Sequence, residues 1–192
     1  MKYDVCIIGG GAAGLAAAAS FHKYASGSET RICILEKNDS LGRKILATGG
    51  GRCNLTNAEC ENRRMVLDFF KDLGIETICD DEGRFFPYTN RASDVVSALK
   101  STIGDNADIR CGFTVKVVSR IRAEDMNGFM ITGQAGSAGN TEMIFADNVI
   151  LSMGGKAAPQ YGTTGDGYGI AKALGHTVTR VYPILTGVEC EK

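Results

Sequence analysis

Gly9-Gly10-Gly11-Ala12-Ala13-Gly14 forms a GxGxxG run between an apolar stretch and an alanine-rich one. That spacing suits a pyrophosphate. Gly9 permits a tight turn, Gly11 lets phosphates approach the backbone, and Gly14 lets a helix pack closely on the strand before it. The free amides of Ala12, Ala13 and Gly14 would then sit at the positive end of a helix dipole. Glu36 follows about 20 residues beyond Gly14, at the end of a second apolar run. A carboxylate there can accept hydrogen bonds from the 2′- and 3′-hydroxyls of a ribose, and it argues against a 2′-phosphate. Lys37, next in the chain, is counted with the same site. An isolated GxGxxG is a weak signal, but strand, helix, second strand and acid in this order predict a dinucleotide site. They do not separate NAD from FAD.

A second constellation is Ser40-Leu-Gly-Arg-Lys-Ile-Leu-Ala-Thr-Gly-Gly-Gly-Arg-Cys-Asn-Leu-Thr-Asn57. From Ser40 to Ala58 there is no acidic residue, while Arg43, Lys44 and Arg52 are basic. Gly49, Gly50 and Gly51 remove side chains where a planar group could approach the backbone. Thr48, Asn54, Thr56 and Asn57 add uncharged donors and acceptors. Such a loop suits a pyrophosphate at one end and a polar heteroaromatic ring at the other.

The elements that must position these groups follow from period and punctuation. Residues 2–8 read as a buried strand, 12–25 as a helix stopped near Ser26-Gly27, and 31–35 as a second buried strand. This is a βαβ rhythm. Val66, Phe69, Phe70 and Leu73 share one face of a helix over 65–73, and Val96, Leu99 and Ile103 one face of a helix over 93–103. Ile109, Cys111, Phe113, Val115 and Val117 alternate with polar residues, which predicts a half-buried strand. Asn127-Gly128 predicts a hairpin turn joining 115–124 to 129–133. A flexible tract from Gly133 to Asn140 leads to strands near 142–145 and 148–152, and a helix covers 166–174.

Lys and Arg number 21 against 22 Asp and Glu, a net charge of −1, and there is no basic stripe. This weighs against nucleic-acid partners, RNA-modifying enzymes included, and against anionic membrane surfaces. Val5 to Ala19 carries no charge, yet it is too short to span a bilayer and Gly9 to Gly11 would break a continuous helix. The seven cysteines include no CxxC pair, and His22 and His176 are far from any cysteine cluster, so no metal site is expected. Cys6, Cys33 and Cys111 lie in apolar strands and read as buried free thiols of a cytoplasmic protein. Cys53 and Cys60 are spaced C-x6-C, which ordinary packing explains better than a redox-active dithiol. The two histidines fit surface or capping roles rather than catalytic bases, and the sequence singles out no catalytic residue.

Residues 42–57, GRKILATGGGRCNLTN, resemble the signature of the BaiN-like (YhiN-like) NAD(P)/FAD-dependent oxidoreductases. These are two-domain flavoproteins with a glutathione-reductase-type FAD-binding fold. Further segments are similar in order: Gly83-Arg-Phe-Phe-Pro87 with Ala92-Ser-Asp-Val-Val96, Leu151-Ser-Met-Gly-Gly-Lys156, and Gly162-Thr-Thr-Gly-Asp-Gly-Tyr168. Two departures stand out. Only Ala58 to Arg64 separate the signature from the next helix, and the family's chains are about twice as long. Their second domain is inserted after a position near Pro183, and a returning segment then completes the flavin site.

The resemblance implies an α/β, Rossmann-like doubly wound sheet with a small antiparallel β-meander. Residues 1–192 would be a partial FAD-binding domain, with a helical segment at 61–104 and the meander at 108–146. FAD would lay its adenosine on Glu36 and near the backbone of Val115. Its pyrophosphate would meet Gly11 to Gly14 with Arg43 or Lys44 nearby, and its isoalloxazine would lie against Thr48 to Asn54. Gly154 and Gly155 would pass close to the cofactor. The implied activity is hydride transfer from NAD(P)H through FAD to a carbonyl or alkene of a small-molecule substrate. Two alternatives stand beside it: an NAD-binding dehydrogenase without flavin, and a non-catalytic nucleotide-binding fragment.

Overall fold

A computed structural model describes residues 2–24, 30–123, 126–136 and 139–182. Ser26-Gly27, Pro183 and Cys190 lie outside the described residues. The expected βαβ unit is β1 (Lys2–Ile8), α1 (Ala12–Tyr24) and β2 (Ile32–Glu36), with β1 and β2 parallel and Cys6 opposite Cys33. All five residues of β2 are buried, because this strand is covered on both faces. On one face Val5, Ile7, Ile32 and Ile34 pack with Leu15, Ala18 and Ala19 of α1. On the other, Cys6, Ile8, Cys33 and Leu35 pack with Phe113, Ile131 and Ile144. Truncating the fully enclosed Ile34 to alanine would cost about 2–5 kcal/mol.

The middle of the chain holds α2 (Arg43–Ala47), a 3₁₀ turn (Thr48–Gly51), β3 (Thr56–Asn57), α3 (Arg63–Asp72), β4 (Thr77–Cys79), β5 (Arg84–Pro87) and α4 (Ala92–Ile103). Val95, Leu99 and Ile103 of α4 join the α1 face of the core, and Phe69, Phe70 and Leu73 pack against it. The segment expected to be helical therefore also carries a small antiparallel sheet, in the order β3-β5-β4. Its strands are two to four residues long, too short for an alternating pattern to register.

After α4 come β6 (Ala107–Cys111), β7 (Phe113–Ala123), β8 (Met126–Ala135), β9 (Thr141–Leu151) and α5 (Asp166–Ala173). The main sheet runs β6-β2-β1-β9-β8-β7, with β6, β2, β1 and β9 parallel and β7 and β8 antiparallel. The single strand expected over 109–117 is split at Gly112, whose φ of 71° turns the chain from the parallel sheet into the meander. Cys111 is exposed, correcting its reading as a buried thiol, because β6 is an edge strand.

The hairpin forms, but Asn127-Gly128 is not its turn. Ala123 pairs with Met126, and Asn127 and Gly128 pair with Arg122 and Ile121 inside the ladder. A Cβ on Gly128 would stand 2.5 Å from the Ala146 carbonyl, so this glycine serves strand approach. The tract expected to be flexible begins inside β8, where Gly133 pairs with Val115. The two strands expected at 142–145 and 148–152 are one. Asp147 and Asn148 interrupt its apolar pattern, but β1 satisfies both: Lys2 pairs with Asp147 at 2.7 Å, and the Asn148 amide donates to the Asp4 carbonyl. The first half of β9 pairs with β8 and the second half with β1, which delivers Leu151 beside Ile8. No helix among the described residues is long and apolar enough to cross a membrane.

Candidate functional site

The turn between β1 and α1 is shaped by its glycines, each for a different reason. Gly9 has φ 107°, and a Cβ on it would stand 2.5 Å from the Ser152 carbonyl. A Cβ on Gly10 would meet Leu41 at 2.2 Å, and one on Gly14 would meet the Gly9 carbonyl at 2.0 Å. Gly10 thus faces the end of the Leu41 side chain, while Gly9 and Gly14, which face backbone, are required by the fold itself. Gly11 is not: a Cβ there would have nothing within 4 Å. It opens into a cleft of about 480 Å³ at the ends of β1, β2 and β9. That is where ligands bind in doubly wound sheets. The first turn of α1 carries no acidic residue to neutralise its positive end.

Glu36 ends β2 on the cleft wall and is 7% exposed. Its Oε2 accepts the Gly10 N–H at 2.7 Å, and its Oε1 accepts the Asn38 N–H at 2.8 Å and the Asn38 side-chain amide at 2.6 Å. The Asn38 Oδ1 in turn accepts from Arg43 at 2.9 Å. The Gly42 N–H donates to the Gly10 carbonyl, fixing the start of α2 against the glycine turn. Buried polar groups on this wall are thus partnered within the chain, and a carboxylate is held ready for a further donor.

Lys37 pairs with Asp166 at 2.7 Å and donates to Thr164 at 2.8 Å, joining the end of β2 to the start of α5. This ion pair holds the Asp166 carboxyl below its ordinary range. Lys44 reaches the Ala157 carbonyl only at 3.4 Å. Phe113 and Val115 supply an apolar wall beside Thr114, and Gly154, at φ 74°, lies where a Cβ would strike Thr163.

Of the residues expected to hold a cofactor, Gly9, Gly11, Ala12, Ala13, Glu36, Lys37, Arg43, Lys44, Val115 and Gly154 line this cleft. Gly14 lies beneath it as a packing residue. Gly155 is off its lining, 3.1 Å from the Tyr168 hydroxyl by its missing Cβ. Thr48, Gly49, Gly51, Arg52, Cys53 and Asn54 are not in the cleft. They form a separate turn over the small sheet, in which Cys53 donates its N–H to the Thr48 carbonyl and Arg52 stacks 4.1 Å from the Phe86 ring. Cys53 is buried with φ 64°, and burial pushes its thiol above the ordinary value. Cys60 is exposed, so the two differ in surroundings as well as spacing.

Sequence reasoning did not single out Asn38, Gly42, Ser152 or Asp166. Gly42, Ser152 and Asp166 fall inside the quoted motifs, but nothing in those motifs marks their individual roles. Ser152 and Asp166 act through partners distant in sequence, Gly42 through its backbone, and Asn38 through Glu36 and Arg43 close by. Tyr161, which nothing in the sequence favoured as a contact, also lines the cleft.

The model of the HI0933-like protein Rossmann domain matches residues 3–67 and 61–191. The chain is 34% identical over 209 aligned positions to the 3-dehydro-bile acid delta(4,6)-reductase of Clostridium scindens, covering 97% of this chain and 47% of that one. It is 29% identical to the ribosomal RNA dihydrouridine synthase of Haemophilus influenzae, over 88% of this chain and 44% of that one. The chain therefore spans about half the length of these curated relatives. Among solved structures it is similar in fold to Escherichia coli quinol fumarate reductase FrdA, with a TM-score of 0.63 and 15% identity over 90% of this chain and 37% of that one. Placed together with the glycine turn and the four ordered motifs, these matches show that the chain belongs to the HI0933-like Rossmann-domain family.

Proposed function

We propose that this chain forms the adenosine- and diphosphate-binding half of an FAD site in a reductase acting on a small-molecule carbonyl or alkene with NAD(P)H. Gly11 carries the reading. Gly9 and Gly14 are required by packing against backbone, whereas Gly11 faces open space in the cleft, where only a ligand would exclude a side chain. FAD, when bound, supplies the relay of hydride between a nicotinamide and a substrate.

The chain's own residues do the holding. The amides of Ala12, Ala13 and Gly14 present donors and a positive dipole to a diphosphate. Arg43, whose side-chain partner Asn38 is uncharged, adds a full charge, and Lys44 a second. Glu36 accepts from a ribose and disfavours a 2′-phosphate, while Phe113 and Val115 give an apolar wall for a base. The turn at Thr48–Asn54 would meet the isoalloxazine. Its Gly50 and Gly51 are exposed, leaving bare backbone on that side of the molecule. Free buried thiols at Cys6, Cys33 and Cys53 favour a reducing, cytoplasmic setting.

RNA is a second reading, carried by the Haemophilus relative, a ribosomal RNA dihydrouridine synthase, but net charge −1 favours a small molecule. Isothermal titration of the chain with FAD, ADP and NADP⁺ tests the cleft. FAD and ADP should bind and NADP⁺ should bind far more weakly. Binding of none of them would overturn the nucleotide reading.

A further inference from the structure

The residue that decides how Glu36 is presented is Asn38. A carboxylate offers about four acceptor positions, two on each oxygen. Oε1 receives two donors, the backbone N–H and the side-chain amide of Asn38. Oε2 receives one, the Gly10 N–H. One position therefore remains, and it is on Oε2. The orientation of the Asn38 amide is set by chemistry. Its oxygen accepts from the Arg43 guanidinium at 2.9 Å, so its NH₂ must face Glu36.

The amide is also boxed in. A Cβ on Gly162, which has φ 91°, would stand 2.7 Å from both Asn38 Nδ2 and Oδ1. The Asn38 carbonyl accepts the Gly112 N–H at 2.7 Å, tying the residue to the corner between β6 and β7. Asn38 is thus held from four sides, and it holds both the acid and one cation of the cleft.

We infer that Asn38 is a positioning residue that fills Glu36 Oε1, so that Glu36 recognises one ribose hydroxyl through Oε2 rather than both. This rests on the nucleotide reading of the cleft and revises the sequence expectation of a grip on the 2′- and 3′-hydroxyls together.

Isothermal titration of the 192-residue chain with ADP, 2′-deoxy-ADP and 3′-deoxy-ADP tests it. One deoxy analogue should bind about tenfold or more weakly than ADP, the loss expected for a hydrogen bond to a charged group, and the other about as tightly as ADP. In Asn38→Ala, checked for folding by far-UV circular dichroism, Oε1 regains an acceptor position and the gap between the two analogues should shrink. An unchanged gap in the folded variant would remove Asn38 from the role, and the wild-type series tests the single-hydroxyl grip of Glu36 even if the variant does not fold. Equal losses for both analogues, or no loss for either, would overturn the inference while leaving ADP binding intact. No binding of ADP by the wild-type chain would instead remove the nucleotide reading and the inference with it.

Discussion

The hydroxyl of Ser152 donates to the carbonyl of Gly9 at 2.8 Å, across 143 positions of the chain. The Ile8 carbonyl lies 3.0 Å from the same hydroxyl. The far end of β9 therefore clamps the turn that starts α1, and Gly14 packs into the clamp, where a Cβ would sit 2.8 Å from the Ser152 hydroxyl.

This separates two glycines of one motif. Gly14→Ala should destabilise the fold by about 1–3 kcal/mol, as overpacking against backbone does, and lower the melting temperature. Gly11→Val should leave melting and far-UV circular dichroism nearly unchanged and abolish ADP and FAD binding. Retained binding in Gly11→Val would mean that the turn does not face a phosphate.

Glu36→Ala should weaken ADP binding by about 1–3 kcal/mol through loss of a charge-assisted hydrogen bond. It also leaves the Gly10 and Asn38 N–H groups without their acceptor, so the ligand-free melting temperature should fall. Calorimetric titration and thermal melting of the same sample read the two effects separately. A drop in melting with unchanged affinity would confine Glu36 to a structural role.

Thr48 to Asn54, expected to meet the isoalloxazine, lie outside the cleft that Gly11 and Glu36 line. A ligand end that makes few contacts adds little affinity. ADP and FAD should accordingly bind the 192-residue chain within about tenfold of each other. Purification as a tightly bound yellow holoprotein, with FAD far tighter than ADP, would show that the flavin end is already held.

The Lys37–Asp166 pair gives a pH dependence of known sign. Lys37 lowers the Asp166 carboxyl below its ordinary 3.8, so the folded chain binds this proton less readily than the unfolded one. The pair's contribution is therefore present above the ordinary value and is lost as pH falls through the lower folded value. The Asp166 side chain is 44% exposed, so the contribution should stay under about 1 kcal/mol. Melting curves of wild type and Asp166→Asn should differ by a constant amount from neutrality to about pH 5 and converge below about pH 4. A difference that persists in acid would assign the effect to packing.

Near neighbours in sequence were readable because their signals are local. The strand at 2–8, the helix from Ala12, the strand ending at Glu36 and the roles of Gly9 and Gly14 follow from periodicities of two and 3.6 and from the needs of one turn. The family motifs at 42–57 and 162–168 are likewise contiguous. The helix faces at Phe69, Phe70 and Leu73 and at Leu99 and Ile103 were legible for the same reason.

Everything that depends on which strand lies beside which was decided by the tertiary structure. Gly128 reads as a turn until β9 brings the Ala146 carbonyl to within 2.5 Å of its missing side chain. Asp147 and Asn148 read as a break until β1 supplies Lys2 and the Asp4 carbonyl. The candidate site follows the same division: Gly11 and Glu36 announce themselves, but Ser152 and Asp166 acquire their roles only from partners over a hundred positions away, and Asn38, bonded locally to Glu36 and Arg43, is boxed in by the distant Gly162. The Thr48–Asn54 turn, adjacent in sequence to Arg43 and Lys44, is carried out of the cleft by α2 and the small sheet. Local propensity specifies an element and its buried face, while the choice of partner across a sheet is a property of the closed fold, because a hydrogen bond or a close approach has no meaning until both of its ends are in place.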